Sequence, residues 1–211
     1  MKILNLYAGI GGNRKLWGEE HQITAVEDKP KIAKIYSDLY PNDVVIIADA
    51  HQYLLDHFKE FDFIWSSPPC PSHSRSSTSL TGWGVYRYPD MKLYEEIIFL
   101  KHFFKGLYVV ENVKPYYNPL IAPTIEIDRH VFWGNFPMSS LTVKRDYDVS
   151  RATKEVLAQH HGFALPTGAQ DQRKLLRNAV YPPLGKHILD SALKEASRIL
   201  PELTPPKTNE V

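Results

Sequence analysis

The only cysteine of the chain, Cys70, follows Pro68 and Pro69 and precedes Pro71, Ser72, His73 and Ser74. A cysteine thiolate is a strong nucleophile, and one held on a rigid turn can attack a substrate carbon. The apolar run from Phe61 to Trp65 is long enough for one buried strand and stops before the two prolines. Proline cannot continue a central strand, so Cys70 is expected just beyond a strand's carboxyl end, where open α/β sheets place their ligands. On its own, a lone cysteine reads first as a small buried hydrophobe, and the nucleophile reading depends on the rest of the chain supplying a reaction. Glu111, in Glu111-Asn112-Val113, ends the next apolar run, Leu107 to Val110. In the doubly wound order that strand lies beside the first, within reach of whatever Cys70 attacks; a capping or salt-bridged glutamate is the other reading. Arg129 enters the run His130 to Trp133, where it could equally make a surface ion pair.

A second constellation suits a nucleoside. Gly9-Ile10-Gly11-Gly12 follows the run Lys2 to Ala8 and lets backbone approach a ligand closely. The dinucleotide fingerprint would need glycine where Arg14 stands, so that match is incomplete. Glu27 and Asp28 end the run Ile23 to Val26, and Asp49 ends Val44 to Ala48. Glu27 could accept both hydroxyls of a ribose, and Asp49 could accept from an adenine amino group. Singly, each acid reads as a loop carboxylate or a helix cap. No second basic or glycine feature serves a pyrophosphate, so a nucleoside cofactor such as S-adenosylmethionine fits better than NAD. Arg173, Lys174 and Arg177 form a basic cluster at helical spacing, either a solvated face or a phosphate contact.

The elements that must position these residues follow from periodicity. Strands at Lys2 to Ala8, Ile23 to Val26, Val44 to Ala48, Phe61 to Trp65 and Leu107 to Val110 alternate with helices after Gly12, at Lys31 to Tyr40, at Gln52 to Phe58 and at Met91 to Phe104. That alternation predicts an α/β fold with a doubly wound, mostly parallel sheet. Residues 71 to 90 lack periodicity and form a long loop, a kind that is often functional. Thr124 to Phe136 contains at least one strand. Residues 137 to 169 are mixed and polar, with a helix near 153 to 161, and helices are expected at Gln170 to Val180 and Leu184 to Ile199.

With 211 residues, 43% hydrophobic and 23% charged, the chain is expected to form one domain over 1–200, with a disordered tail at 201–211. No apolar run approaches the roughly 20 residues that span a bilayer. One cysteine leaves no internal disulfide and no zinc site built on two thiolates, so no metal is expected and a reducing compartment is. The net charge of +1 confines any nucleic-acid binding to local patches.

In motif order and over most of its length, the chain resembles the cytosine-C5 DNA methyltransferases, whose fold is of the S-adenosylmethionine-dependent, Rossmann-like type. Tyr7-Ala8-Gly9-Ile10-Gly11-Gly12 looks like the family's first motif, and Glu27 and Asp49 match its ribose and adenine acids. Pro69-Cys70-Pro71-Ser72-His73-Ser74 is similar to the Pro-Cys-x-x-x-Ser nucleophile motif, and Glu111-Asn112-Val113 to the Glu-Asn-Val motif. Arg129 resembles the second arginine of Arg-x-Arg, and Arg177-Asn178-Ala179-Val180 the final Gly-Asn-x-Val. The resemblance implies that Cys70, Glu111, Arg129 and Ser74 are catalytic. It also implies that Tyr7, Gly9, Gly11, Gly12, Glu27, Asp28, Asp49, Pro69, Asn178 and Ala179 hold S-adenosylmethionine. Arg75, Arg87, Arg173 and Lys174 are then expected on DNA, with the loop 71–90 closing over a base flipped from the duplex. Cytoplasmic location in a prokaryote or a virus-infected prokaryote, and a restriction-modification setting, also follow from it.

Three departures stand out. Ile127 replaces the first arginine of Arg-x-Arg, and Arg177 replaces the glycine of the final motif. Only residues 137–169 lie where the family carries a large target-recognition domain, so a very short site, low specificity or a separate recognition or restriction partner is expected. Competing readings are an exocyclic-amine methyltransferase, on Ser67-Pro68-Pro69-Cys70, an RNA cytosine-5 methyltransferase, and a catalytically silent cofactor-binding module of a DNA-modifying complex. A nicotinamide-dependent oxidoreductase comes last.

Overall fold

The computed structural model describes residues 1–74, 88–149, 151–165 and 171–199. Seven strands form one sheet: β1 (Lys2–Leu6), β2 (Gln22–Val26), β3 (Val44–Ile46), β4 (Phe63–Ser66), β5 (Leu107–Val113), β6 (Ile125–Ile127) and β7 (His130–Gly134). Their order is β3-β2-β1-β4-β5-β7-β6. The first five are parallel, while β7 runs antiparallel to both β5 and β6. Among the described residues six α-helices accompany them: α1 (Pro30–Leu39), α2 (Ala50–His57), α3 (Lys92–Phe103), α4 (Lys154–His161), α5 (Gln172–Asn178) and α6 (Pro182–Ile199). This is the expected α/β, mostly parallel architecture.

The strands read as continuous apolar runs because both sheet faces are covered. Ile3, Phe63, Trp65, Val109 and Phe132 pack under Leu184, Ile188, Leu189 and Ala192 of α6. The alternate residues Leu4, Leu6, Ile64, Val110 and Val131 pack against Leu54 of α2 and Leu93, Ile97 and Leu100 of α3. A third cluster joins α1, α4 and α5 through Tyr36, Leu157 and Leu176.

Register creates the ledge on which the site stands. β4 pairs with β5 only from Leu107 to Val110. The last three residues of β5 run on and pair with β7 alone, Glu111 opposite Phe132, Asn112 opposite Val131 and Val113 opposite His130. The predicted strand within Thr124 to Phe136 is a hairpin, β6 and β7, turned at Asp128 with a left-handed φ of 56°.

The expected helix after Gly12 is instead a single 3-10 turn, Arg14–Leu16. Side chains of this turn are drawn into the core in place of a longer helix. Arg14 is 2% exposed and makes two bonds to Asp43, Nε to Oδ2 at 2.9 Å and Nη2 to Oδ1 at 3.0 Å. Trp17 donates to the Gly185 carbonyl at 3.1 Å and packs on Trp65. Of the described residues between 137 and 165, only α4 is regular, capped by Thr153 and ended by left-handed Gly162. The expected tail, 201–211, lies outside the described residues. Among the described residues no helix is long and apolar enough to cross a membrane.

Candidate active site

The turn after β4 is fixed from several sides. Asn112, from the extended end of β5, donates its side-chain N–H to the Pro68 carbonyl at 3.0 Å. The backbone amides of His73 and Ser74 donate to the Cys70 carbonyl at 3.0 and 2.9 Å. Ser74 also bridges to Pro115. Cys70 is thereby held half-buried on a short, rigid turn. Burial pushes its thiol up, the Glu111 charge adds to this, and Arg129 and Arg177 pull partly back. The resting thiol is therefore protonated, and attack requires removal of its proton.

Glu111 is buried on the ledge. His130 Nδ1 lies 2.5 Å from Glu111 Oε1, and both side chains are less than a tenth exposed. Burial alone would raise this carboxyl. His130 by charge and hydrogen bond, the Ser67 hydroxyl and Arg129 together outweigh it and hold Glu111 below the usual carboxylate range. Ser67 itself accepts from Trp65 Nε1 at 2.8 Å. Arg129 donates to the Arg177 carbonyl at 2.7 Å, which joins the start of β7 to α5. Cys70, Glu111, Arg129 and the end of α5 thus meet at one corner of the sheet.

The glycine loop lies at the neighbouring strand ends. Tyr7 and Gly9 both have φ near 55°, and a Cβ built on Gly9 would meet no atom within 4 Å. A Cβ on Gly12 would instead lie 2.4 Å from the Val180 carbonyl and 2.9 Å from Ala179 Cβ. Gly9 therefore leaves room beside the backbone, whereas Gly12 allows the loop to pack on the segment after α5. Gly11 is a packing residue too: its carbonyl accepts from the Tyr40 hydroxyl at 2.8 Å. Glu27 accepts the Gly9 amide at 3.0 Å on Oε2 and the Lys29 amide at 3.1 Å on Oε1. Burial and a side-chain hydrogen bond with Asp28 raise the Glu27 carboxyl, and the pair keeps acceptor sites for a ligand hydroxyl. Asp49 caps α2 through the Gln52 amide at 2.8 Å. Tyr7, Asp28, Asp49, Ala50, Pro68, Pro69 and Leu93 line one cleft of about 160 Å³, together with Lys29, His73, Asp90 and Lys92. An open backbone, acids with acceptor oxygens and a partly apolar wall suit an adenosine-bearing ligand.

Beneath this cleft lies a buried carboxylate that sequence reasoning missed. Glu96 on α3 is bonded by the Tyr7 hydroxyl at 2.5 Å, the Ser66 hydroxyl at 2.5 Å and His51 Nδ1 at 3.0 Å. It ties the ends of β1 and β4 and the start of α2 to one point. The Glu96 hydrogen bond, against the opposing effect of burial, holds the His51 imidazole above its ordinary value.

The remaining candidates are spread more widely. Ala179 is buried against the glycine loop, while Asn178 is exposed at the end of α5. Arg173 and Lys174 are exposed on α5, and Arg173 Nε donates to the Ala152 carbonyl at 2.8 Å. Arg75 and Arg87 lie outside the described residues. Among the described residues no group of three or more His, Cys, Asp or Glu could hold a metal ion.

Comparison with known proteins matches residues 1–118 to the family model of C-5 cytosine-specific DNA methylases. No curated protein sequence matches the chain. Among solved structures, a triple mutant of DNMT2 from Spodoptera frugiperda is similar, with a TM-score of 0.60 and 14% identity over 91% of this chain and 99% of that one. The methyltransferase EhMeth of Entamoeba histolytica is similar with a TM-score of 0.53 and 12% identity, over 93% and 98% of the two chains.

Proposed function

Because the chain belongs to the C-5 cytosine-specific DNA methylase family, we propose that it is a DNA (cytosine-5)-methyltransferase that works through a covalent adduct of Cys70 with a flipped cytosine. The observation that carries this reading is the meeting of Cys70, Glu111 and Arg129 beside the cleft lined by Tyr7, Asp49 and Pro69. When bound there, S-adenosylmethionine supplies the methyl group. Tyr7, Gly9, Glu27, Asp28, Asp49 and Pro69 would hold it, Glu27 through ribose hydroxyls and Asp49 through the adenine amine. Gly11, Gly12, Asn178 and Ala179 would support the loop around it.

Cys70 passes its proton to the Glu111 carboxylate, which is ionised in the free site, and its sulfur bonds to C6 of the base. The ring electrons shift toward N3, which takes a proton from the Glu111 carboxyl. C5 is then the nucleophile toward the methyl group, and N3 returns its proton to Glu111. Loss of the C5 proton to solvent re-forms the C5–C6 double bond as the Cys70 sulfur leaves and recovers its own proton from Glu111. Arg129 would hold the base beside Glu111, and Ser74 the turn that carries Cys70. Arg75, Arg87, Arg173 and Lys174 would contact phosphate. The short segment 137–169 leaves little surface for reading bases, so a very short target or a separate reader belongs to this proposal.

The test offers labelled S-adenosylmethionine with mixed-sequence DNA, and separately with RNA, and identifies the product nucleosides by mass spectrometry. 5-Methylcytosine in DNA, abolished by Cys70→Ser while cofactor binding survives, is the expected result. N4-methylcytosine or N6-methyladenine would overturn the mechanism, and product in RNA alone would overturn the substrate.

A further inference from the structure

His130 is outside every motif that marks the site, yet it makes the closest polar contact there. It stands on β7, two residues before the partner of Glu111, so the two are diagonal neighbours on one sheet face. Its Nδ1 lies 2.5 Å from Oε1, and both side chains are closed off from water. An ionised carboxylate only accepts hydrogen bonds, so Nδ1 must carry the hydrogen when Glu111 is charged. A buried carboxylate without such a donor would be strongly disfavoured.

Resting on the reading of Glu111 given above, we propose that His130 is a positioning residue for methyl transfer. Its Nδ1–H fixes Oε1 and the plane of the Glu111 carboxyl, and steadies the carboxylate left when its proton passes to N3 of the base. No net proton is consumed in this exchange, because Glu111 gives its proton as the Cys70 sulfur–C6 bond forms and recovers it as the C5–methyl bond forms. His130 remains the hydrogen-bond donor throughout.

The charged and titratable groups around the pair come from every element packed on it. Arg129 lies at the start of β7, with Asp128 and Arg145 beside it. Cys70 and Ser67 flank Glu111 from the turn after β4. From the far side come His160 and His161 of α4 and Arg177 of α5. The Ser67 hydroxyl and Arg129 also favour the Glu111 charge, each less than His130, and Arg129 donates to the Arg177 carbonyl. His130 is therefore the group whose loss would leave the carboxyl both unoriented and short of a donor.

The test compares His130→Ala, His130→Asn and Glu111→Gln by kcat and KM for S-adenosylmethionine and DNA, over a range of pH, with cofactor affinity by calorimetry as the fold check. Asparagine presents an N–H near the place of Nδ1 but lacks the coulombic pull of His130 on Glu111. His130→Ala should lower kcat by about 10²-fold, at the lower end for a positioned acid–base group, with cofactor affinity retained. Its low-pH limb should move upward, because burial then raises Glu111 against Ser67 and Arg129 alone. His130→Asn should recover all but about tenfold of the rate while the limb still moves. An unchanged kcat in His130→Ala, or equal losses in kcat and cofactor affinity in both His130 variants, would overturn the positioning role. If Glu111→Gln methylates at the wild-type rate, the underlying reading of Glu111 fails instead. An inactive Glu111→Gln beside an unaffected His130→Ala refutes this inference alone.

Discussion

Replacing Arg14 with methionine tests how the glycine loop is held. The guanidinium makes two bonds to Asp43 at 2.9 and 3.0 Å, and both side chains are 2% exposed. Asp43 also accepts the Tyr36 hydroxyl at 2.8 Å, and Arg14 lies 5.2 Å from the Tyr40 ring centroid. Tyr40 in turn bonds the Gly11 carbonyl. Methionine keeps most of the volume but leaves Asp43 a buried charge with the Tyr36 hydroxyl as its remaining side-chain donor among the described residues. Breaking a buried pair in this way costs about 3–5 kcal/mol, a large share of the roughly 5–15 kcal/mol that a domain has. At about 2–4 °C per kcal/mol for a chain of this size, Tm should fall by roughly 6–20 °C. Neutralising the orphan as well, in Arg14→Met with Asp43→Asn, should restore at least half of the loss, because what is costly is the unpaired charge. Urea denaturation at pH 7 with thermal melts measures both variants. A loss below about 1 kcal/mol in the single variant, the scale of an exposed pair, would refute the reasoning. So would a double variant no more stable than the single one.

Other outcomes follow from the same geometry. Gly12→Ala should destabilise the fold by about 1–3 kcal/mol through its clash with Val180, and Gly9→Ala by about 1–2 kcal/mol through its left-handed φ of 55° with a further loss of S-adenosylmethionine binding; melts and calorimetry separate the two effects. Glu111→Gln removes a negative charge that raises the Cys70 thiol, so alkylation of Cys70 by iodoacetamide at pH 7.5 should become several-fold faster, and an unchanged rate would deny the electrostatic link. His161 is buried and pushed down to about 3, by burial first and then by His160, Arg129 and Arg145. The unfolded chain then binds a proton that the folded one refuses, so the stability tied to neutral His161 is complete above pH 6.5 and is lost as pH falls toward 3. That loss is roughly 3–5 kcal/mol at about 1.4 kcal/mol per pH unit, and denaturation of His161→Gln should show a flatter acid side.

The five parallel strands were legible because their buried faces leave uninterrupted apolar runs, and the acids at their ends follow directly from where those runs stop. The 3-10 turn at Arg14 was not, because what shortens it is a partner at position 43 and a tryptophan contact at position 185. Cys70 and Glu111 stood out through type and context. His130 and Glu96 did not, since a strand histidine and a helix glutamate look ordinary until residues 19 and 89 positions away are brought to 2.5 Å. Asn112 was part of a recognised motif, but its bond to the Pro68 carbonyl is visible only in three dimensions. The basic residues Arg75 and Arg87 remain a reading of the sequence alone.

The contact of Gly12 with Val180, together with the bond from Arg129 to the Arg177 carbonyl, bears on the order of synthesis. Cys70, Glu27, Asp49 and Glu111 are made early, but the backing of the glycine loop emerges only once residue 180 has left the ribosome. A nascent chain that ends after β7 carries Cys70, Glu111 and Arg129 and lacks the segment that closes the loop. A pair of fragments split within 141–149, between β7 and α4, should therefore be silent apart. Methyl transfer should return only when the two are mixed and α5 can dock.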